Sequence, residues 1–277
     1  MNPDAIRIRV LVENETVSRL ETEHGLSYLV EADGKRGLFD TGATDMVLRN
    51  AKTLGEPIDS LDWIVLSHGH YDHTGGLESV LKAQKKRIIV FAHPAAFIEK
   101  FKRSDDGYPS IGIRMSRSDI DKYADIIETT QPTRVSKSIT LTGEIPRVVT
   151  YETPFSGFVQ DASGADAVDP IPDDLSVIIN ANRGCAVLLG CAHAGPVNTL
   201  KRVQALAGVG TFGFVAGGMH LSDADDERIR RTVAAFKEYN VTRVAPLHCS
   251  GKRAADAFRV AYGAKAVALN AGAEYLL

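Results

Sequence analysis

Between positions 67 and 76 the chain reads Ser67-His68-Gly69-His70-Tyr71-Asp72-His73-Thr74-Gly75-Gly76, which puts three of its eight histidines beside one carboxylate. Neutral imidazoles and a carboxylate are donors that suit Zn²⁺, and also Fe or Mn. Alternate side chains of an extended segment share a face, so His68 and His70 point the same way and can hold one ion. The chain must then turn, which Gly69 and Gly75 permit, and Asp72 and His73 then face a second position beside the first. The competing reading is a polar loop whose histidines only make hydrogen bonds. So many donors directly behind an apolar run argue against it.

That run, Trp63-Ile64-Val65-Leu66, reads as a buried strand, and Leu77, Val80 and Leu81 after the glycines have helical spacing. The donors therefore lie on a strand-to-helix turn at a sheet edge, where α/β enzymes keep their chemistry. Upstream, residues 6–12 and 24–31 read as strands, and Asp33-Gly34 turns the second into 37–40. His24 stands at a strand edge from which it can approach the pocket. Thr44 or Asp45 caps a helix with Val47, Leu48, Ala51 and Leu54 on its apolar face, closed by Gly55.

Downstream, a strand over 87–92 ends at His93-Pro94, and Phe97, Ile98 and Phe101 suggest a short helix. Periodicity lapses over 104–117, which reads as a flap over the pocket or an ordinary insertion. Ile120, Tyr123, Ile126 and Ile127 have the spacing of another helix. Strands are expected at 134–141 and 147–151, and 156–174 is rich enough in Gly, Ala, Asp and Pro to be a long loop. Residues 175–180 and 185–190 form a hairpin around 182–184. Pro196 starts a helix with Leu200, Val203 and Leu206 inward. A strand over 212–216 leads to His220, with Ser222 capping the next helix. The strand over 241–247 ends at His248, a helix turns Ala254, Phe258 and Ala261 inward, and a strand at 265–269 finishes the chain.

The chain has 277 residues, 44% hydrophobic and 24% charged, an ordinary globular composition, read as one domain over 1–277. A formal net charge of −3 carries no polyanion-binding signal. Neither a signal peptide nor a membrane-spanning run is visible. Three cysteines, an odd number, make a disulfide framework unexpected and a reducing cytoplasm the default.

At 67–76 the chain resembles the metallo-β-lactamase superfamily, whose signature is Thr/Ser-His-x-His-x-Asp-His followed by Gly-Gly. Leu38-Phe39-Asp40-Thr41-Gly42 is similar to the family's earlier strand and turn. Thr142-Gly143-Glu144-Ile145-Pro146-Arg147 and Pro246-Leu247-His248-Cys249-Ser250-Gly251 resemble a branch labelled dihydropterin ribofuranosyl-aminobenzene phosphate synthase-like. The resemblance implies an α/β fold, a four-layer αββα sandwich of two facing sheets with helices outside each. It also places an acidic or amide group of Glu13-Asn14-Glu15 near the site, and gives His93 a place in the pocket wall. Cys191 falls where many members carry a bridging Asp and others a Cys ligand. No histidine lies between 93 and 193, so His193 replaces the usual third one, and His248 matches the last family histidine.

The resulting expectation is a hydrolase with two divalent ions, Zn or else Fe or Mn. His68, His70 and His193 hold the first; Asp72, His73 and His248 hold the second, with Cys191 available to either. The activated water attacks a small-molecule ester, phosphoester or lactone. Asp72 orients the nucleophile, and His220 serves substrate binding or proton transfer. Arg147 binds an anionic substrate group, unless it is a structural ion-pair partner. Two other classes stay open: a nuclease of the same fold, disfavoured by the net charge, and a ligand sensor without catalysis, disfavoured by the intact 68–73. No membrane partner is expected.

Overall fold

Arg7–Val12 (β1), Ser27–Ala32 (β2) and Lys35–Phe39 (β3) form an antiparallel meander. In this computed structural model, which describes residues 6–16, 18–161, 168–181 and 184–277, Asp33 and Gly34 have φ of 57° and 72°. Both are left-handed, as a tight hairpin of matching twist requires. The helix Met46–Leu54 (α1) ends at Gly55, with φ 70°. Trp63–Val65 (β4) then pairs in parallel with β3. The metal-signature turn holds one helical turn, Tyr71–Thr74 (α2), and leads into Leu77–Ala83 (α3) and Ile88–Ala92 (β5).

The next segment departs from its sequence pattern. Pro94–Phe97 is a single 3-10 turn, and Phe101–Lys102 (β6) is a short strand, so no helix runs through Phe97, Ile98 and Phe101. Only Arg117–Ile120 (α4) is helical where Ile120, Tyr123, Ile126 and Ile127 predict a helix; Ala124–Glu128 (β7) pairs in parallel with β5 instead. Ile126 and Ile127 are adjacent β-branched residues, which suit a strand as well as a helix, and the open edge of β5 offers them backbone partners.

Thr133–Arg134 (β8) and Ile139–Leu141 (β9) are two short paired strands. Residues 147–151 form none; the backbone N–H groups of Val148 and Val149 donate to Asn198 Oδ1. Phe158–Val159 (β10) pairs with β6, and Ser110 bridges Phe101, so the loop-like and the flap-like segments each pair with β6. Ser176–Ala181 (β11) and Gly184–Leu189 (β12) form the expected hairpin, of which Asn182 and Arg183 lie outside the described residues. Pro196–Ala207 (α5), Phe212–Gly218 (β13), Asp226–Glu238 (α6), Val244–Leu247 (β14), Gly251–Tyr262 (α7) and Glu274–Leu276 (β15) complete the chain.

Asp225, not Ser222, caps α6: its carboxylate accepts from Arg228 N at 2.7 Å. Leu206 is 36% exposed, past the buried stripe of α5. Residues 265–269 make only one bridge, Val244 to Ala266, and the last strand, β15, returns to the first sheet beside β1.

Among the described residues one large sheet has seven strands, ordered β15-β1-β2-β3-β4-β5-β7, a second has six, ordered β14-β13-β12-β11-β9-β8, and β10 and β6 form a small two-stranded ribbon. Period-two alternation sorts their side chains. Trp63 and Val65 face the other sheet, joining Phe39, Leu188 and Phe214, while Ile64 and Leu66 pack outward with Val47 of α1 and Val80 of α3. Val187 and Val215 pack outward against Leu200, Phe236 and Phe258 of α5, α6 and α7. Helices therefore cover the outer face of each sheet, the αββα order implied by the motif. No helix among the described residues is long and apolar enough to cross a membrane.

Candidate metal centre

Parallel strands aim their carboxyl ends in one direction, and the site collects there. Asp40 follows β3, Ser67 and His68 follow β4, Cys191 and His193 follow β12, His220 follows β13, and His248 follows β14. Four of these turns depend on a left-handed non-glycine residue: Asp40 at φ 62°, Ala192 at 53°, His220 at 47° and His248 at 49°. Each such residue costs on the order of 1–2 kcal/mol, a strain held by its surroundings and typical of functional sites. Gly69 and Gly75 act otherwise than as left-handed turns. A Cβ would stand 2.2 Å from Ala96 O at Gly69 and 2.0 Å from Ala43 O at Gly75, so these glycines admit close backbone approach.

Two buried donor groups result: His68, His70 and His193, and beside them Asp72, His73, Cys191 and His248. In the first, His68 Nε2 is 3.0 Å from His70 Nδ1 and 3.2 Å from His193 Nε2. In the second, His73 Nε2 is 3.2 Å from His248 Nε2 and 3.1 Å from Cys191 Sγ, and His248 Nε2 is 3.2 Å from Asp72 Oδ2. The His68 and His73 rings, one from each group, have centroids 4.4 Å apart.

Hydrogen bonds behind the rings decide which nitrogens carry lone pairs. Asp40, fully buried, accepts from Ser67 N, from Ser67 Oγ and from His73 Nδ1, the last at 2.6 Å. Because Ser67 Oγ spends its proton on Asp40, it accepts from His68 Nδ1 at 2.9 Å. His248 Nδ1 donates to Asn14 Oδ1 at 2.9 Å, and Glu13 Oε1 accepts from His248 N. These bonds hold the Nδ1 proton of each ring, so His68, His73 and His248 all turn Nε2 inward, its lone pair free whenever the ring is neutral. Lone pairs facing each other near 3 Å repel unless a cation lies between them. Nitrogens bound tetrahedrally to zinc at ~2.05 Å would stand about 3.3 Å apart, close to this spacing. The residues present fit a pair of metal ions.

Burial also keeps the imidazoles neutral, the form a metal binds. It pushes His68 and His193 well below the ordinary histidine range, His70 to about 3 and His248 to about 4. His73 is the exception: burial pulls it down, but Asp40 and Asp72 overcome this and raise it to about 9. Burial alone would raise Asp72; His73, His24 and His248 hold it well below the carboxylate range. A pH prediction follows from His70 and His248. Their folded values of about 3 and about 4 lie below 6.5, so under pH 6.5 the unfolded chain binds more protons. With His68, His193 and His220 also held low, the five depressed histidines outweigh the buried carboxylates Glu13, Glu152 and Asp174, whose raised values act in the opposite sense, so chelator-treated protein should lose stability as pH falls from 6.5 toward 4. Thermal melts at several pH values check this; an unchanged melting temperature across that window would refute it.

Around the first group, the turn carrying His193 is held by charges distant in sequence. Asp174, raised by burial to about 6, accepts from Ala194 N. Glu152, raised by burial to about 7, accepts from Val197 N and Asn198 N at the start of α5. Arg147 donates to the backbone carbonyls of His193 and Pro170. Its planar fork is thus engaged with the backbone that carries His193, where the sequence offered either a substrate anion or a structural partner. His220 does reach the pocket side, its ring 4.5 Å from that of His193, with Phe155 and Phe158 against it. Burial lowers His220 to about 4.

His24 also reaches the site: its Nε2 is 3.3 Å from Asp72 Oδ2, and its ring lies 4.6 Å from that of His248. His93 does not; it caps the turn after β5 through Ala95 N and meets Glu144. Lys100 and Asp173 carried no sequence signal. Lys100 is 2% exposed, its Nζ 2.8 Å from Asp173 Oδ1, while Asp173 Oδ2 accepts from Gly69 N between two of the donor histidines. Lys100→Met would leave buried carboxylates without their cation, a loss of about 3–5 kcal/mol that denaturant unfolding would measure. A change near zero would exclude this clamp.

Comparison with known proteins agrees with this geometry. Residues 20–154 match the profile of the metallo-beta-lactamase superfamily. The chain is 33% identical over 267 residues to a 7,8-dihydropterin-6-methyl-4-(beta-D-ribofuranosyl)-aminobenzene-5'-phosphate synthase of Methanocaldococcus jannaschii, covering 92% of this chain and 91% of that one. The chain belongs to the metallo-β-lactamase superfamily. A solved metal-dependent hydrolase of the β-lactamase superfamily is 31% identical, covers 98% of both chains and superposes with a TM-score of 0.82. A diphosphatase of the PhnP family, 14% identical with a TM-score of 0.58 over 99% of this chain and 97% of that one, shares the fold.

Proposed function

We propose that this protein is a metal-dependent hydrolase acting on a small-molecule ester, phosphoester or lactone, with His68, His70 and His193 holding one divalent ion and Asp72, His73, Cys191 and His248 the other. The observation that carries the reading is the pair of adjacent buried donor groups in which Asp40, Ser67 and Asn14 hold the Nδ1 protons and so turn Nε2 of His73, His68 and His248 inward. Bound there, two divalent ions supply an activated water and a positive charge for the developing oxyanion. The protein does the rest. Asp72, ionised, faces both His73 and His24 and is placed to orient a nucleophile. His220, neutral, is placed for hydrogen bonding to substrate or for taking a proton, with the rings of Phe155 and Phe158 packed beside it. Arg147 acts by holding the His193 turn. Free thiols at Cys185, Cys191 and Cys249 suit a reducing compartment.

A second reading has one specific support. The relative from M. jannaschii is named a synthase, so group transfer to an acceptor other than water is the alternative. One experiment separates them. Protein reconstituted with Zn²⁺, Mn²⁺ or Fe²⁺ should hold about two ions per chain, one for each donor group. It should then turn over members of a panel of phosphodiesters, lactones and thioesters with water alone. Turnover that requires an added acceptor would favour the transferase, and activity without any metal would end both readings.

A further inference from the structure

Cys191 follows β12 and Cys249 follows β14, yet their sulfurs lie 3.3 Å apart. The strand between them, β13, makes the room. A Cβ on its last residue, Gly218, would stand 2.7 Å from Cys249 Sγ and 3.2 Å from Cys191 Cα. Cys191 is 3% exposed and presents its sulfur to His73 Nε2 in the second donor group, whereas Cys249 is partly exposed. The remaining cysteine, Cys185, is buried in the outer core among Val187 and Phe212. Neither thiol of the pair belongs to the three hydrophobic clusters, and only a short movement separates them from a bond.

We propose that Cys191 and Cys249 are an oxidative modification site, at which hydrogen peroxide links them as a disulfide and withdraws the Cys191 sulfur from the second donor group. The sulfurs need to close from 3.3 Å to about 2.05 Å. Cys249, the more exposed, meets the oxidant. Its sulfur forms an S–O bond as the peroxide O–O bond breaks, giving a sulfenic acid and one water. The Cys191 sulfur then attacks the Cys249 sulfur; the S–S bond forms, the S–O bond breaks, and a second water leaves. The two thiols give up two electrons and two protons, and the peroxide takes up both. A Cys191 sulfur held by a metal cannot make that attack, so metal loading and oxidation compete. This competition rests on the functional reading above; the disulfide itself does not.

The test begins with chelator-treated protein exposed to hydrogen peroxide and examined by intact mass and peptide mapping. The expected product has lost about 2 Da, maps to a link between the peptides containing positions 191 and 249, and reverts with dithiothreitol. The link should persist in Cys185→Ser and vanish in Cys249→Ser. Its absence from metal-free wild-type protein, or a mass loss that survives in Cys249→Ser, overturns the proposal. Zinc-loaded protein should oxidise at least about tenfold more slowly. Equal rates with zinc shown by elemental analysis to be bound would overturn the withdrawal from the donor group. Reduced protein that binds none of Zn²⁺, Mn²⁺ and Fe²⁺ would instead overturn the functional reading, and the linked peptide would stand.

Discussion

His68→Ala should release one metal ion per chain and lower turnover by about 10³-fold or more, while the protein still unfolds cooperatively. The size follows from the charge stabilisation a catalytic ion supplies, several kcal/mol at ~1.4 kcal/mol per tenfold in rate. His68 is central to the first donor group, within 3.0 Å of His70 Nδ1 and 3.2 Å of His193 Nε2, so no neighbouring side chain replaces its nitrogen. Survival of the fold is expected because the three hydrophobic clusters that hold the sheets and helices do not include it. Elemental analysis and turnover on a substrate found by the panel, measured together, decide the matter. Full metal content with full turnover in the variant would mean that the motif is ornamental in this chain.

Asp40→Asn should be nearly as damaging, although Asp40 touches no metal. Its two oxygens accept from Ser67 N, Ser67 Oγ and His73 Nδ1, and through Ser67 Oγ they also orient His68. Asparagine matches its size and tolerates φ 62°, so the backbone turn should survive. An amide nitrogen in place of either oxygen cannot accept, however. In place of Oδ2 it would force the His73 proton onto Nε2 and into the donor group, and release the Ser67 hydroxyl and with it the orientation of His68; in place of Oδ1 it would meet the Ser67 backbone N–H, donor against donor. Affinity for the metals should fall about 10–100-fold. Competition with a chromophoric chelator measures this, and wild-type affinity in Asp40→Asn would show that the tautomers are set some other way.

Much of the fold was legible because it is written locally. The apolar run in 63–66, the Asp33-Gly34 turn and the Gly55 helix end are patterns within a few residues, and each appears where its pattern places it. The failures share a cause. Ile126 and Ile127 entered a strand because β5 had an unpaired edge, and β15 exists because β1 had one. A sheet edge is a property of the assembled layers, invisible to a window of ten residues. The same holds for residues 147–151, whose backbone donors meet Asn198 on α5 and not a strand.

For the site, the local pattern in the sequence was enough for part of the candidate donor inventory. His68, His70, Asp72 and His73 are contiguous, and alternation in an extended segment is enough to assign them to two positions. His193, Cys191 and His248 required the family pattern, because nothing in their own neighbourhoods distinguishes a donor from a buried polar residue. What only the tertiary structure decided is which atom of each donor faces inward. That choice belongs to Asp40, 33 positions from His73, and to Asn14, 234 positions from His248. Asp173, 104 positions from Gly69, holds the backbone between His68 and His70. A proton on an imidazole goes to whichever nitrogen has an acceptor, and the acceptor arrives only when two sheets bring their strand ends together.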